Sequence, residues 1–182
     1  EKTLYIEYGT SIEDYNVFIP MYQHTMKRLH AEKYYHFSNQ YFNNISNILS
    51  NHCFVFVAYD IQTSTPFGSL LLLIYKNKAH YFLSARSHLS NNNSTNNFLL
   101  NHAISFSKKK NCSIFHLGGG NSLDDNDSLF KFKKNFSTDI YDFYISKKVI
   151  HSAVYNSVCE IWEKRNPGKA QQFKNYLLKY YE

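Results

Sequence analysis

From residue 53 to residue 84 the chain runs in short apolar stretches, Cys53 to Tyr59, Gly68 to Tyr75 and Ala79 to Ser84, separated by turn-rich Asp60 to Pro66 and Lys76-Asn77-Lys78. Runs of this length with short polar separators predict three strands joined as antiparallel hairpins. The middle one, Ser69-Leu70-Leu71-Leu72-Leu73-Ile74-Tyr75, is apolar without alternation, which predicts a central strand covered on both faces. Upstream, Lys2 to Tyr8 alternates loosely and predicts a first strand closed by Gly9. Tyr15, Phe18, Ile19, Tyr22, Met26 and Leu29 then recur at three and four, the spacing of a helix from Ile12 to about His30. Pro20 falls inside it, and an interior proline costs about 3 kcal/mol, so two short helices with a break are expected. Ser38 caps a second helix with Tyr41, Phe42, Ile45, Ile48 and Leu49 on its buried face.

Downstream of a polar Asn/Ser loop, Leu89 to Asn97, a helix is predicted over Phe98 to Lys109 and a strand over Ser113 to Leu117. A strand, a helix of about a dozen residues and a strand form the crossover that makes two strands parallel. That strand stops at Gly118-Gly119-Gly120, which holds three of the chain's six glycines. Such a cluster marks either the corner of a sheet or a ligand site, and it matches neither the dinucleotide fingerprint nor the P-loop. Asp127 caps a helix Ser128 to Asn135. A strand Tyr141 to Ser146 and helices Ile150 to Lys164 and Gln171 to Tyr180 follow, the last two divided by Asn166-Pro167-Gly168.

Composition narrows the partners more than the fold. The 182 residues are expected to form one domain, and 18% aromatic content predicts a core and cleft walls rich in rings. A net charge of +6 favours an anionic partner. The basic runs Lys108-Lys109-Lys110 and Lys131, Lys133 and Lys134 are too short for a nucleic-acid arm. Three scattered cysteines point to a reducing compartment, and nine histidines show no ligand spacing, so no metal is expected. There is no apolar run of membrane-spanning length and no signal-peptide layout, which makes the cytoplasm the default location.

The resulting order of elements resembles the GNAT superfamily of acyltransferases: an α/β (α+β) fold with a mixed, mostly antiparallel sheet flanked by helices and two splayed parallel strands at its centre. Residues narrow the resemblance. Tyr34-Tyr35-His36-Phe37-Ser38, His80-Tyr81-Phe82-Leu83-Ser84-Ala85, Phe98-Leu99-Leu100, and His116-Leu117-Gly118-Gly119-Gly120 with Asp127-Ser128-Leu129-Phe130-Lys131-Phe132-Lys133-Lys134-Asn135-Phe136 look like the Fem peptidyltransferases and their acetyltransferase relatives. The glycine loop with Phe-Lys-x-x-Phe is the most specific part. The resemblance covers nearly the whole chain and implies a bacterial N-acyltransferase with acyl-CoA (acetyl-CoA) as cosubstrate and an amine on a small molecule, peptide or sugar as acceptor. The Fem branch implies aminoacyl-tRNA as donor, cell-wall precursors as acceptor and two such folds in tandem. A preceding GNAT-like domain is then expected before Glu1. The departure from the CoA-binding pattern is Asn91 to Asn97, which has no glycine where a glycine-rich pyrophosphate loop is usual.

Acyl transfer to an amine needs positioning, a base and donors for the oxyanion. Glu7, His80, His116 or a water held by Tyr81 are the candidate bases, with His80, Tyr81 and Glu7 foremost. The donor is expected against Leu83, Ser84, Ala85 and Arg86, with its phosphates at Asn93, Ser94, Thr95, Asn96 and Asn97. The acceptor is expected beside Tyr34, Tyr35, His116, Gly118, Gly119, Gly120, Lys131 and Lys133. Two residues apart on a helix, Lys131 and Lys133 point about 200° from each other, so only one can line the cleft. The competing reading is a non-catalytic ligand-binding module. No nucleophile triad supports a hydrolase.

Overall fold

The computed structural model describes residues 3–89, 94–122, 124–144 and 146–181. The chain divides into two compact units, Glu1–Phe136 and Ser137–Glu182. The first carries a five-stranded sheet in sequence order: β1 (Leu4–Gly9), β2 (Cys53–Asp60), β3 (Pro66–Tyr75), β4 (Lys78–Arg86) and β5 (Ile114–His116). The first three junctions are antiparallel, and β5 joins β4 in parallel. The crossover helix between them is α3 (Thr95–Lys109), while α1 (Ile12–Arg28) and α2 (Asn39–Ile48) precede β2.

Both faces of the sheet are covered, as the uninterrupted apolar run of β3 requires. Tyr15, Phe18, Ile19, Met21 and Tyr22 of α1 and Phe42 and Ile45 of α2 pack with Val55, Val57 and Leu71 on one face. Leu99, Leu100 and Ala103 of α3 pack with Phe56, Ala58, Leu70, Leu72, Ala79 and Tyr81 on the other. Each such large side chain contributes about 1.5–3 kcal/mol by burial.

That gain explains the first departure from expectation. α1 is one continuous helix with Pro20 inside it rather than two helices. Pro20 is exposed, and the buried residues Tyr15, Phe18 and Ile19 before it and Met21 and Tyr22 after it fix both halves against the same sheet face. Several times the burial energy of one side chain outweighs a proline cost of about 3 kcal/mol. The capping box of Ser11 and Asp14 holds the start of the helix.

β4 contains a bulge. Leu71 opposes Leu83 while Leu72 opposes Tyr81, so Phe82 is the extra residue. An extra residue shifts the alternation by one, which brings Tyr81 and Ser84 to the same face, and the Tyr81 hydroxyl donates to Ser84 Oγ at 2.7 Å. The end of β4 is clamped by Thr25, whose hydroxyl accepts the Arg86 N–H at 3.2 Å and donates to Met21 O at 2.8 Å.

β5 is followed by the glycine loop and α4 (Ser128–Lys134), which Asp127 caps through the Phe130 N–H at 2.8 Å. In the second unit, α5 (Ser152–Arg165) and α6 (Pro167–Ala170) are followed by a 3₁₀ turn, Lys179–Tyr181. Cys159 and Trp162 are buried on α5, and Lys179 pairs with Glu163. Two expectations fail here. Tyr141 to Tyr144 and Ser146 form no strand, and residues 171 to 180 do not form one long helix. Tyr141, Phe143 and Tyr144 are all more than 80% exposed, so their apolar pattern has no face to bury and nothing holds a strand in register.

Candidate functional site

Pairing of β4 with β5 covers three positions, Lys78 with Ile114, Ala79 with Phe115 and His80 with His116. β4 then continues for six residues to Arg86 with no strand partner on that side among the described residues. The two parallel strands therefore part at a pair of histidines. Parting leaves a row of β4 backbone groups open to a ligand, and the bulge at Phe82 lies within that row.

The histidine side chains meet because the register makes them cross-strand partners. Their Nδ1 atoms are 2.8 Å apart, and His80 Nδ1 is also 3.2 Å from the His116 carbonyl oxygen. A carbonyl only accepts, so the proton belongs on His80 Nδ1, which it shares between the carbonyl and His116 Nδ1. His80 Nε2 then carries the lone pair. Burial pushes the His80 pKa below its ordinary value, and the neighbouring His116 and Lys133 push the same way, against the hydrogen bond to the His116 backbone. His80 is thereby kept neutral at neutral pH, as a general base must be.

Lys133 reaches the same place from α4. Phe132 and Phe136 anchor that segment in the cluster on the α3 face of the sheet. The Lys133 ammonium donates to the Gly119 carbonyl at 2.6 Å and stands 5.5 Å from the centre of the Tyr81 ring. Burial lowers its pKa, partly offset by Asp127. Two glycines make this approach possible. Gly118 has φ +74, and a Cβ there would lie 3.2 Å from Lys133 Nζ and 3.9 Å from His80 Cε1. A Cβ on Gly120 would overlap the Asp127 carboxylate that caps α4. Tyr81 is buried, which raises its pKa above the ordinary phenol value, with the Ser84 hydrogen bond opposing.

The structure thus gathers His80, Tyr81, His116, Gly118, Gly119 and Lys133, with Ser84 beneath Tyr81. Glu7 does not join them: it is exposed on β1, at the opposite edge of the sheet and three strand spacings from β4, about 14 Å. Lys131 is exposed and donates to Asn126 Oδ1 at 2.9 Å, so of the two lysines Lys133 faces inward. Leu83 is half-buried and packs with Ala85 in the cluster on the α1 side of the sheet. At the start of α3, Ser94 is exposed and its side chain makes no capping hydrogen bond, while Asn97 is exposed. Thr95 is fully buried, which removes its side chain from any ligand, and Asn96 Oδ1 is buried without a hydrogen-bond partner among the described residues. Asn93 lies outside the described residues. Tyr34 and Tyr35 sit in a 3₁₀ turn, Lys33–Tyr35, with rings 5.1 Å apart and near perpendicular, anchored by the Tyr22 hydroxyl on Tyr35 O at 2.9 Å. Sequence reasoning missed the Tyr81–Ser84 link, because nothing in the apolar pattern signals the bulge.

Among the described residues no group of three or more His, Cys, Asp or Glu side chains is placed to hold a metal ion. None of the helices there is long and apolar enough to cross a membrane.

No family model and no curated protein matches the sequence. Solved structures do match the backbone. A possible acetyltransferase from Clostridium difficile 630 superposes with a TM-score of 0.61 at 9% identity, over 82% of this chain and 100% of that one. The fold is that of the GNAT acetyltransferases. An aminoglycoside acetyltransferase from an uncultured soil metagenomic sample, in complex with sisomicin, matches with a TM-score of 0.57 at 16% identity, over 80% of this chain and 97% of that one. PaiA N-acetyltransferase from Thermoplasma acidophilum, in complex with coenzyme A, matches with a TM-score of 0.51 at 19% identity, over 77% and 93%. At these identities the GNAT likeness is one of architecture.

Proposed function

We propose that this GNAT-fold chain is an N-acyltransferase that moves an acyl group from an acyl-CoA-type donor to an amine. The observation that carries the reading is the parting of β4 from β5 at His80 and His116, which sets an unpaired strand edge beside a neutral imidazole. The donor's amide-bearing arm would lie along the open side of β4, and its phosphates at the start of α3, where the helix dipole supplies about half a positive charge. The acceptor amine attacks the carbonyl carbon as the carbon–sulfur bond breaks. His80 Nε2 takes the amine proton, which then passes to the departing thiolate. The complex of a similar fold with coenzyme A supports the choice of donor.

A second reading, aminoacyl-tRNA as donor in the manner of the Fem peptidyltransferases, is favoured by one feature. The lysine of Phe132-Lys133-Lys134-Asn135-Phe136 turns inward onto the glycine loop. A ligand-binding module is the remaining alternative.

The test is thiol release from acetyl-CoA over a panel of amines, with His80→Gln expected to lower kcat about 10²-fold or more. Titration with CoA and charged tRNA decides the donor, and Ser94→Asp, at an exposed position, should weaken whichever phosphate-bearing ligand binds there. Thr95 is unsuitable for the same change because a charge at a fully buried position would damage the fold. Turnover by His80→Gln equal to wild type would overturn the catalytic assignment. A chain that binds neither CoA nor tRNA would be a module of another kind.

A further inference from the structure

Lys133 carries a charge that no ion pair among the described residues neutralises. Its side chain is 9% exposed, and its single hydrogen-bond acceptor among the described residues is the neutral Gly119 carbonyl. Among the described residues no carboxylate lies within ion-pair distance of it, and the one ion pair there is Lys179 with Glu163 in the other unit. Asp127 influences Lys133 but is committed to capping α4 through the Phe130 N–H. An ammonium has three N–H donors, so donors remain for a ligand.

The surroundings decide the sign of that ligand. Around Gly118 stand His80, His116, Tyr81 and Lys133, none of them a carboxylate, while the Asp127 carboxylate lies against Gly120 and caps α4. A buried cation is stable when paired, and a polycationic amine entering here would meet Lys133 and, among the described residues, only the Asp127 carboxylate, which is already engaged in capping α4. An amine that also carries an acid would answer both groups: its anion would pair with Lys133 and its amino group would be offered to His80 Nε2.

We propose that the acceptor is an acidic amine, one with a carboxylate or phosphate a few bonds from its amino group, such as an amino acid or an amino-sugar phosphate, and that Lys133 is the residue that selects it. This rests on the acyl-transfer reading of the site. It separates this chain by acceptor charge from the similarly folded enzyme bound to the polycation sisomicin.

The experiment compares amino acids and amino-sugar phosphates with their uncharged amide or alcohol analogues, with aminoglycosides and with polyamines, using acetyl-CoA as donor. A lost charge-assisted hydrogen bond is worth about tenfold or more in affinity. Lys133→Met should therefore raise KM for acidic amines by about that factor relative to KM for their uncharged analogues, and Lys133→Arg should restore much of that difference. In wild-type protein, inorganic phosphate and acetate should compete with the acceptor. Preference for aminoglycosides or polyamines, or a fall in kcat with KM unchanged in Lys133→Met, would overturn the proposal.

Direct binding separates its failure from that of the acyl-transfer reading. Phosphate or glycine binding, followed by calorimetry and by imidazole NMR, should be present in wild type and lost in Lys133→Met. Lys133-dependent binding without turnover of any acyl donor would leave the anion pocket standing and remove the enzyme. Turnover of amines without Lys133-dependent anion binding would keep the enzyme and remove the pocket.

Discussion

Lys131 and Lys133 stand one turn-fraction apart on α4 and lead different lives. On the outer face of the helix Lys131 is exposed and spends its ammonium on Asn126, five residues back in its own chain. On the inner face Lys133 is buried, reaches a carbonyl fourteen residues away and sits over the ring of Tyr81. The residue type is the same, and the helix direction alone makes one a solvated charge and the other a part of the site. In water the first interaction is worth a few tenths of a kcal/mol, while the second is made where solvent competes poorly.

That contrast can be broken at its root by removing what aims the helix. Asp127→Ala takes away the cap of α4 and the carboxylate that fits against Gly120. The loss should be about 1 kcal/mol, or about 2–4 °C in Tm for a chain of this size. It should also weaken anion binding, because Lys133 loses its fixed direction, whereas Asp125→Ala, at an exposed position, should do neither. Thermal melting together with phosphate titration checks both parts. A lower Tm with unchanged phosphate binding would show that Lys133 is held by Phe132 and Phe136 rather than by the cap.

The inner face can be sharpened by pH. The folded-state pKa of His80 is depressed, first by burial and then by His116 and Lys133. Because the unfolded chain then binds the proton more readily, His80 contributes stability that is present above its unfolded value of about 6.5 and declines as pH falls below it. Acyl transfer should rise with pH through the depressed pKa and be level by neutrality. His116→Ala removes one of the lowering influences and should move the His80 titration upward. Imidazole NMR read against pH measures it, and an unmoved or falling His80 pKa would show that the histidines do not act as a pair.

On the outer face the expected effect is smallest. Lys131→Met should change stability by less than about 0.5 kcal/mol and leave KM for acidic amines where it was. An effect on KM comparable to that of Lys133→Met would mean that both faces of α4 meet the ligand.

Much of the first unit is legible in the sequence. Helix caps at Ser38 and Asp127, the hairpins of β2 to β4 and the parallel β5 follow from local chemistry and from patterns that repeat at the period of their own element. The candidate site residues expected from the sequence were spread over Glu7, Tyr34 and Tyr35, 80 to 86, 93 to 97, 116 to 120, Lys131 and Lys133, of which the structure brings His80, Tyr81, His116, Gly118, Gly119 and Lys133 together, and the geometry of a helix allowed only one of Lys131 and Lys133 to face inward. It did not tell which. That depended on the side of α4 that Phe132 and Phe136 bury, a property of packing between elements. Pro20 was misjudged for the same reason, since a local cost of about 3 kcal/mol was outweighed by side chains buried from both halves of α1. Glu7 and His80 looked equally able to act as bases until strand order put one at the far edge and the other at the seam. The bulge at Phe82, the meeting of His80 with His116 and the burial of Lys133 all join residues distant in sequence or out of phase with it. Periodicity reports which face of its own element a side chain occupies, and only the tertiary structure decides what that face meets.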